Sequence, residues 1–246
     1  KGGLKTVGQV LQSWWRALCC LGRLSGKDTW TQALAHGPLA LGYICWVLGC
    51  TGAILTTETA GYAGKLLGDY SLVGPAFLQI LVREFAPAVV AALMAARSGA
   101  GIAAELATMR VLEQTDVAIM QGAEPEVTLL APRVWGMVIA AFPLTLIGGA
   151  VSFLVGGFFV GILFEVPWTV YGVARMVAPE DLVLGVVKTA FFAMAIALVS
   201  GTCGMRAWGG SRGVGRATTA AVVYSSVAVL GLDAFFGVLA FAFSGA

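Results

Sequence analysis

The chain has 246 residues, of which 59% are hydrophobic and 11% charged, with a formal net charge of +2 and a mean hydropathy of +0.88. An ordinary soluble domain carries about 25% charged residues, so this composition excludes a globular enzyme and reads as an integral membrane protein. The small net charge argues against a nucleic-acid partner, and no polar stretch is long enough to bury a core of its own.

From the amino end, Leu4, Val7, Leu11, Trp14, Leu18 and Leu21 recur at alternating three- and four-residue steps, with Lys5, Gln9, Gln12, Ser13 and Arg16 between them. This is the pattern of an amphipathic helix. Trp14, Trp15 and the basic residues suit a helix lying in the headgroup layer, although packing on the protein's own spans would give the same pattern. Five cysteines, at 19, 20, 45, 50 and 203, show no paired zinc-type spacing and read as small hydrophobes.

A hydrocarbon core about 30 Å thick needs about 20 apolar residues per helix. Five stretches meet that length, at roughly 38–56, 72–98, 134–163, 182–205 and 218–243. Pro143 lies in the third and is predicted to kink or divide it, because proline lacks the amide an interior turn needs. The expected fold is an all-α integral membrane protein with one transmembrane domain over 1–246. An amphipathic interfacial helix within 1–30 precedes five transmembrane helices.

Lysines and arginines gather in three places: Lys1, Lys5, Arg16, Arg23 and Lys27 before the first span, Arg97, Arg110 and Arg133 after the second, and Arg206, Arg212 and Arg216 after the fourth. The other two connections offer Lys65 and Arg175. The positive-inside rule predicts a cytoplasmic amino terminus and, with five spans, a carboxyl terminus on the far side.

Ala88, Ala92, Ala96, Ala100 and Ala104 repeat every four residues along the second span, and Gly157 with Gly161 does so in the third. Such small residues let helices approach closely, within one chain or between two. Residues 97–133 are the most charged part of the chain. Arg110, Glu113 and Gln114 are spaced to share a helical face, with Asp116 close by, whereas Val111, Leu112, Val117, Ile119 and Met120 are too apolar for a free linker. The expectation is a short helix docked on another protein.

Four charges fall inside the spans. Arg83 and Glu84 sit about eleven residues into the second, roughly 16 Å from its start and near the bilayer centre; Lys188 lies in the fourth and Asp233 in the fifth. Facing lipid, each costs on the order of 3 kcal/mol or more, so they should turn inward and pair. A buried ionic network that fixes helix register and a polar path for a headgroup, ion or proton both fit this pattern. Neighbouring residues on an α-helix point about 100° apart, so Arg83 and Glu84 are not expected to face one partner together.

The stretch LVREFAPAVVAALMAARSGAGIAAELATMRVLEQTDVAIMQGAEPEVTLLAPRVW closely resembles the signature region of the MlaE/YrbE permease family, and GRATTAAVVYSSVAVLGLDAFFGVL resembles its last span. The resemblance covers most of the chain from about residue 60. It implies a homodimeric permease subunit of an ABC-type lipid transporter in a bacterial inner membrane, with chloroplast relatives. The implied partners are a second permease copy, two ATPase subunits that bind the ATP and magnesium, a small STAS-domain protein, a periplasmic ring of MCE-domain subunits, and phospholipid as cargo. No cofactor is implied for this chain.

Carried over by motif, Glu105, Arg110, Glu113, Gln114 and Asp116 fall in the family's cytoplasmic coupling segment. Arg83 and Glu84 match its Arg-Glu pair, and Lys188 in GVVKTAFFAM matches a lysine of its fourth span. Tyr62, Leu66 and Leu67 lie where its lipid pocket opens. The link 164–181, FEVPWTVYGVARMVAPED, has no counterpart in the family pattern.

The chain's own near-match to a phosphate loop, GYAGK, lacks the GxxxxGK[ST] spacing whose amides cradle phosphates, so ATP is expected to act through a partner. Two rivals remain at this stage. One is an ion- or proton-coupled secondary transporter using Arg83, Glu84, Lys188 and Asp233 as its relay. The other is a structural anchor for a periplasmic complex.

Overall fold

The structure, a computed structural model, describes Trp15 and residues 26–66, 68–122, 124–173 and 176–244. The amphipathic helix expected over 4–21 lies outside these residues except for Trp15, which is exposed. Cys19, Cys20, Leu67 and Arg175 lie outside them as well.

Hydrocarbon offers backbone amides no partner, so a chain this apolar satisfies them within helices. The described residues form helices and no strand. After α1 (Gly26–His36) and a turn at Gly37, α2 runs over Pro38–Leu66. The second long helix is composite: α3 (Val73–Ile80), a π turn at Leu81–Phe85, α4 (Ala86–Met94), a π turn at Ala95–Gly99, then α5 (Ala100–Val111). The short α6 (Gln114–Met120) follows. Next come α7 (Ala131–Phe164), α8 (Trp168–Tyr171), α9 (Pro179–Met205) and α10 (Gly210–Ser244).

Five helical stretches are long and apolar enough to cross a membrane: Gly26–Leu66, Val73–Val111, Thr128–Phe164, Pro179–Met205 and Gly210–Ala240. Each corresponds to one predicted span and is longer than it. Pro143 does not divide the third, since α7 runs through it as one helix. The second continues past residue 98 because π turns accommodate an extra residue without ending the helix. The fifth starts at Gly210 rather than near 218, which brings Arg212 and Arg216 out of the connection and into the helix.

The chain divides into two compact units. One comprises Ala40–Val90 and Phe142–Ala190. In it α2 and α7 lie backbone to backbone: a Cβ on Gly52 would come 2.4 Å from the Ser152 carbonyl oxygen, and one on Gly148 would come 2.5 Å from Leu48 Cδ1. Phe153 anchors an aromatic cluster, stacking on Tyr171 at 4.8 Å and meeting Trp168 edge-on at 6.0 Å. The Tyr171 hydroxyl donates to the Phe153 carbonyl at 3.3 Å, and burial pushes this phenol well above its ordinary pKa, so it keeps that proton. Residues 166–171 of the link are thus tied down by their aromatic side chains, and Gly157 of the predicted small-residue pair packs on Trp168 and Tyr171 within the chain.

The other unit comprises the described residues up to Leu39, Ala91–Ala141 and Phe191–Ala246. Here α5 packs along α10, with Ala107, Ala207 and Ala217 buried at one contact. Phe191, Phe192 and Phe236 cluster at another. The alanine ridge predicted along the second span does not form one line. The π turn at Ala95–Gly99 shifts its register, and Ala92 and Ala96 are exposed while Ala88, Ala100 and Ala104 are partly buried.

Because the atom nearest Gly52 is backbone, G52A is expected to destabilise the chain by about 1–3 kcal/mol, the usual range for overpacking. Gly42, on the same helix with nothing within 4 Å of its would-be Cβ, serves as the control. G42A should be neutral or stabilising by up to about 1 kcal/mol. Unfolding of both variants in the same detergent checks the contrast, and equal effects would count against this helix contact.

Candidate functional site

The sequence LVREF, Leu81–Phe85, forms the first π turn of the second long helix. Leu81 points into the core at 1% exposure. A π turn widens the helix and frees it from the four-residue ladder, which is one reason such turns recur at functional sites. Opposite it, α9 comes very close, for a Cβ on Gly185 would lie 2.4 Å from the Val82 carbonyl oxygen.

A ladder of charges spans this contact. Lys188, fully buried, donates through Nζ to Glu84 Oε2. Arg83 Nε lies 3.6 Å from Glu84 Oε1, and Arg83 Nη1 lies 3.3 Å from Asp181 Oδ1. Gln79 Nε2 donates to Asp181 Oδ2 at 3.2 Å. The Ala178 amide donates to the same oxygen at 3.1 Å. Asp181 therefore does two jobs. With Pro179 it forms a helix start, since proline suits the first position and an acid in the first turn complements the helix dipole, and it also receives Arg83.

Arg83 and Glu84 were not expected to face one partner together, and each meets a different residue: Arg83 meets Asp181 and Glu84 meets Lys188. Both partners lie on α9, seven residues apart, two turns along one face and about 10 Å apart. Arg83 reaches back toward its own helix start, the direction in which helical side chains lean, while Glu84 meets Lys188. Asp181 was missed because it sits in the unpatterned link; its seven-residue spacing from Lys188 was the available signal. Asp233, the fourth expected charge, is partly buried on α10 in the other unit.

Beside the ladder lies an apolar cleft of about 380 Å3, with Val82, Leu146, Phe153, Gly185 and Val186 among its walls. One buried polar atom of its lining, Thr145 Oγ1, has no hydrogen-bond partner among the described residues. Tyr62 and Leu66 stand outward from the last turns of α2, 60% and 79% exposed.

The segment expected to couple to a partner is a corner. Helix α5 ends at Val111, and Glu113 takes left-handed backbone (φ 60°) before α6 begins at Gln114. Arg110, Glu113 and Gln114 therefore do not share one helical face, since the axis breaks between them. Arg110 instead pairs with Asp116 across the corner. Leu112, Val117, Ile119 and Met120 are exposed there. Glu105 is held within the chain by Arg133, whose Nη2 lies 3.1 Å away and whose side chain is only 7% exposed. Among the described residues no cluster of three His, Cys, Asp or Glu side chains is arranged to hold a metal.

If the Lys188–Glu84 pair organises this contact, E84Q should destabilise the fold by about 3–5 kcal/mol, because it removes the carboxylate from a fully buried ammonium, and K188M should cost less, because Glu84 is 37% exposed and keeps Arg83. The double variant E84Q/K188M should lose much less than the sum. Thermal unfolding of the three variants in detergent closes the cycle, and strict additivity would show that the pair contributes no coupling.

Compared with known proteins, the chain matches the family model described as permease MlaE over residues 29–239. A probable ABC transporter permease protein of Rickettsia prowazekii is 35% identical over 202 residues, covering 81% of this chain and 77% of that one. The intermembrane phospholipid transport system permease protein MlaE of Haemophilus influenzae is 29% identical over 254 residues, covering 94% of each. The chloroplastic protein TRIGALACTOSYLDIACYLGLYCEROL 1 of Arabidopsis thaliana is 32% identical over 229 residues, which make up 92% of this chain and 64% of that one. The charge ladder and the Glu113 corner both fall inside the residues matched by the family model, and the chain belongs to the MlaE permease family.

Proposed function

We propose that the chain is the transmembrane subunit of an ABC-type transporter that moves phospholipid between the inner membrane and a periplasmic ring of MCE-domain subunits. Two copies form the working permease, and a separate ATPase supplies the energy. The amino terminus and the α5–α6 corner face the cytoplasm, as the distribution of lysine and arginine favours.

The observation that carries this reading is the corner itself. Within a segment rich in charge, the corner and the short helix after it expose four apolar side chains, Leu112 at the corner and Val117, Ile119 and Met120 on α6. The Arg110–Asp116 pair braces the bend. Exposed apolar groups on a braced projection are what a partner's groove would receive, and α5 belongs to the same helical stretch of chain, Val73–Val111, as Arg83 and Glu84. Closure of an ATPase around α6 would therefore press on the helix that carries Arg83 and Glu84. The Haemophilus relative's name supports phospholipid as the cargo.

Within this scheme the ladder forms the floor of the lipid path. Its members pair with one another, while apolar walls such as those around Val82 and Phe153 suit acyl chains. Tyr62 and Leu66 belong to the mouth.

Purified with its partners and reconstituted in proteoliposomes, the complex should transfer lipid in an ATP-dependent manner. Replacing the catalytic residue of the ATPase should abolish transfer. Transfer that survives this change and follows a proton gradient would make the ladder a relay and overturn the proposal; no transfer under any condition would favour an anchor. M120D, at an exposed position of α6, and R110E, which removes the brace to Asp116, should weaken ATPase association roughly tenfold or more while leaving the permease folded. Undiminished co-purification of the ATPase with both variants would rule the corner out as the docking element.

A further inference from the structure

A second polar feature, unconnected with the ladder or the corner, opens where α10 begins. Gly209 and Gly210 have φ of 89° and 68°, left-handed backbone that glycine adopts at little cost. The turn they make folds Trp208 back on the helix, where a Cβ on Gly213 would come 2.0 Å from the Trp208 carbonyl oxygen. The Arg216 guanidinium then lies over the Trp208 ring, 4.9 Å from its centroid, and donates to the Trp208 carbonyl at 3.5 Å. Trp208, Arg212, Gly215, Arg216 and Thr219 line the resulting groove of about 980 Å3, which continues to Val223 and Tyr224.

Three properties of this groove point the same way. Arg212 and Arg216 are exposed, and among the described residues neither makes a salt bridge. Beyond them α10 presents Val223, Val227 and Leu230, at 52%, 62% and 68% exposure, toward the surroundings of the chain. Of the five membrane-crossing stretches this one is the least covered, with 17% of its most apolar window buried against 33–44% in the others. A cationic and aromatic head thus leads into an uncovered apolar track.

We infer that the groove binds an anionic phospholipid of the surrounding bilayer, its phosphate held by Arg212 and Arg216 and one acyl chain lying on Val223 and Val227. The guanidinium fork matches phosphate oxygens, and tryptophan favours the depth at which headgroups sit. From Arg216 to Val227 the helix rises about 16 Å, close to one leaflet of a core about 30 Å thick. A soluble anion would use the arginines but not the track. The inference stands whether or not the transport reading holds, since it concerns a lipid bound at this helix rather than the cargo.

The test uses the full chain reconstituted in phosphatidylcholine vesicles containing a minor fraction of phosphatidylglycerol. The protein is re-extracted in neutral detergent, and the lipids of each class retained per chain are counted by mass spectrometry. The wild-type chain should be enriched in phosphatidylglycerol relative to the vesicles. R212Q/R216Q should lower that enrichment at least about fivefold, one arginine's worth of attraction to anionic lipid, leaving phosphatidylcholine unchanged. Should the double variant fail to fold, R212Q alone reads the same enrichment with a smaller loss. Unchanged enrichment, or an equal loss of both lipids, overturns the assignment. So does an oligomeric mass that changes while the enrichment persists, which would give the groove to a second copy of the chain. Binding of inorganic phosphate with no preference between lipid classes would make it a soluble-anion site and overturn the assignment equally.

Discussion

An ammonium group removed from water needs a counter-charge within reach, and Lys188 is where this chain meets that requirement most severely. Its side chain has no exposure, and the carboxylate that answers it, Glu84, belongs to a different helix. The pairing therefore fixes more than a charge. It sets the register of α9 against the LVREF turn, so that Gly185 falls opposite the Val82 carbonyl and the two backbones nearly touch. A side chain at 185 would separate the helices and draw the carboxylate out of range. Close packing and ion pairing are two aspects of one contact.

The rest of the ladder extends this contact toward the start of α9. Asp181 serves its own helix as an acid in the first turn and serves the neighbouring helix as a receptor for Arg83 and Gln79. Asp181 thus ties the start of α9 to Gln79 and Arg83, about two and three turns after the other helix begins at Val73. The aromatic cluster around Phe153 fills the adjacent space with groups that need no counter-charge. Small residues between α2 and α7 do the corresponding work where no charges are present. In lipid, where hydrophobicity does not distinguish protein from solvent, such complementary packing is what holds helices together.

Much of this was legible in the sequence because the bilayer imposes length and polarity so strictly. Five apolar runs gave the five long helices, and the cost of an intramembrane charge was enough to expect Arg83, Glu84 and Lys188 to pair inward. Asp181 was hidden because an acid two residues after a proline reads as a helix start, and nothing local shows that its second oxygen is shared. The break at Glu113 was hidden for a different reason. Glutamate rarely adopts left-handed backbone, so the spacing of Arg110, Glu113 and Gln114 pointed to a continuous helix. At the start of α10, Gly209 and Gly210 make a defined turn against Trp208 that no charge or hydropathy pattern signals.

The two π turns also bear on how related chains should be compared. Each adds one residue to a turn without ending the helix, and each rotates everything after it by about 100°. A helical wheel drawn from Val73 to Val111 with one uniform step therefore loses its register at each π turn. Two permeases can therefore carry similar α5 faces and yet differ by a one-residue gap near LVREF. An alignment that closes that gap would match residues by number and misplace them in space.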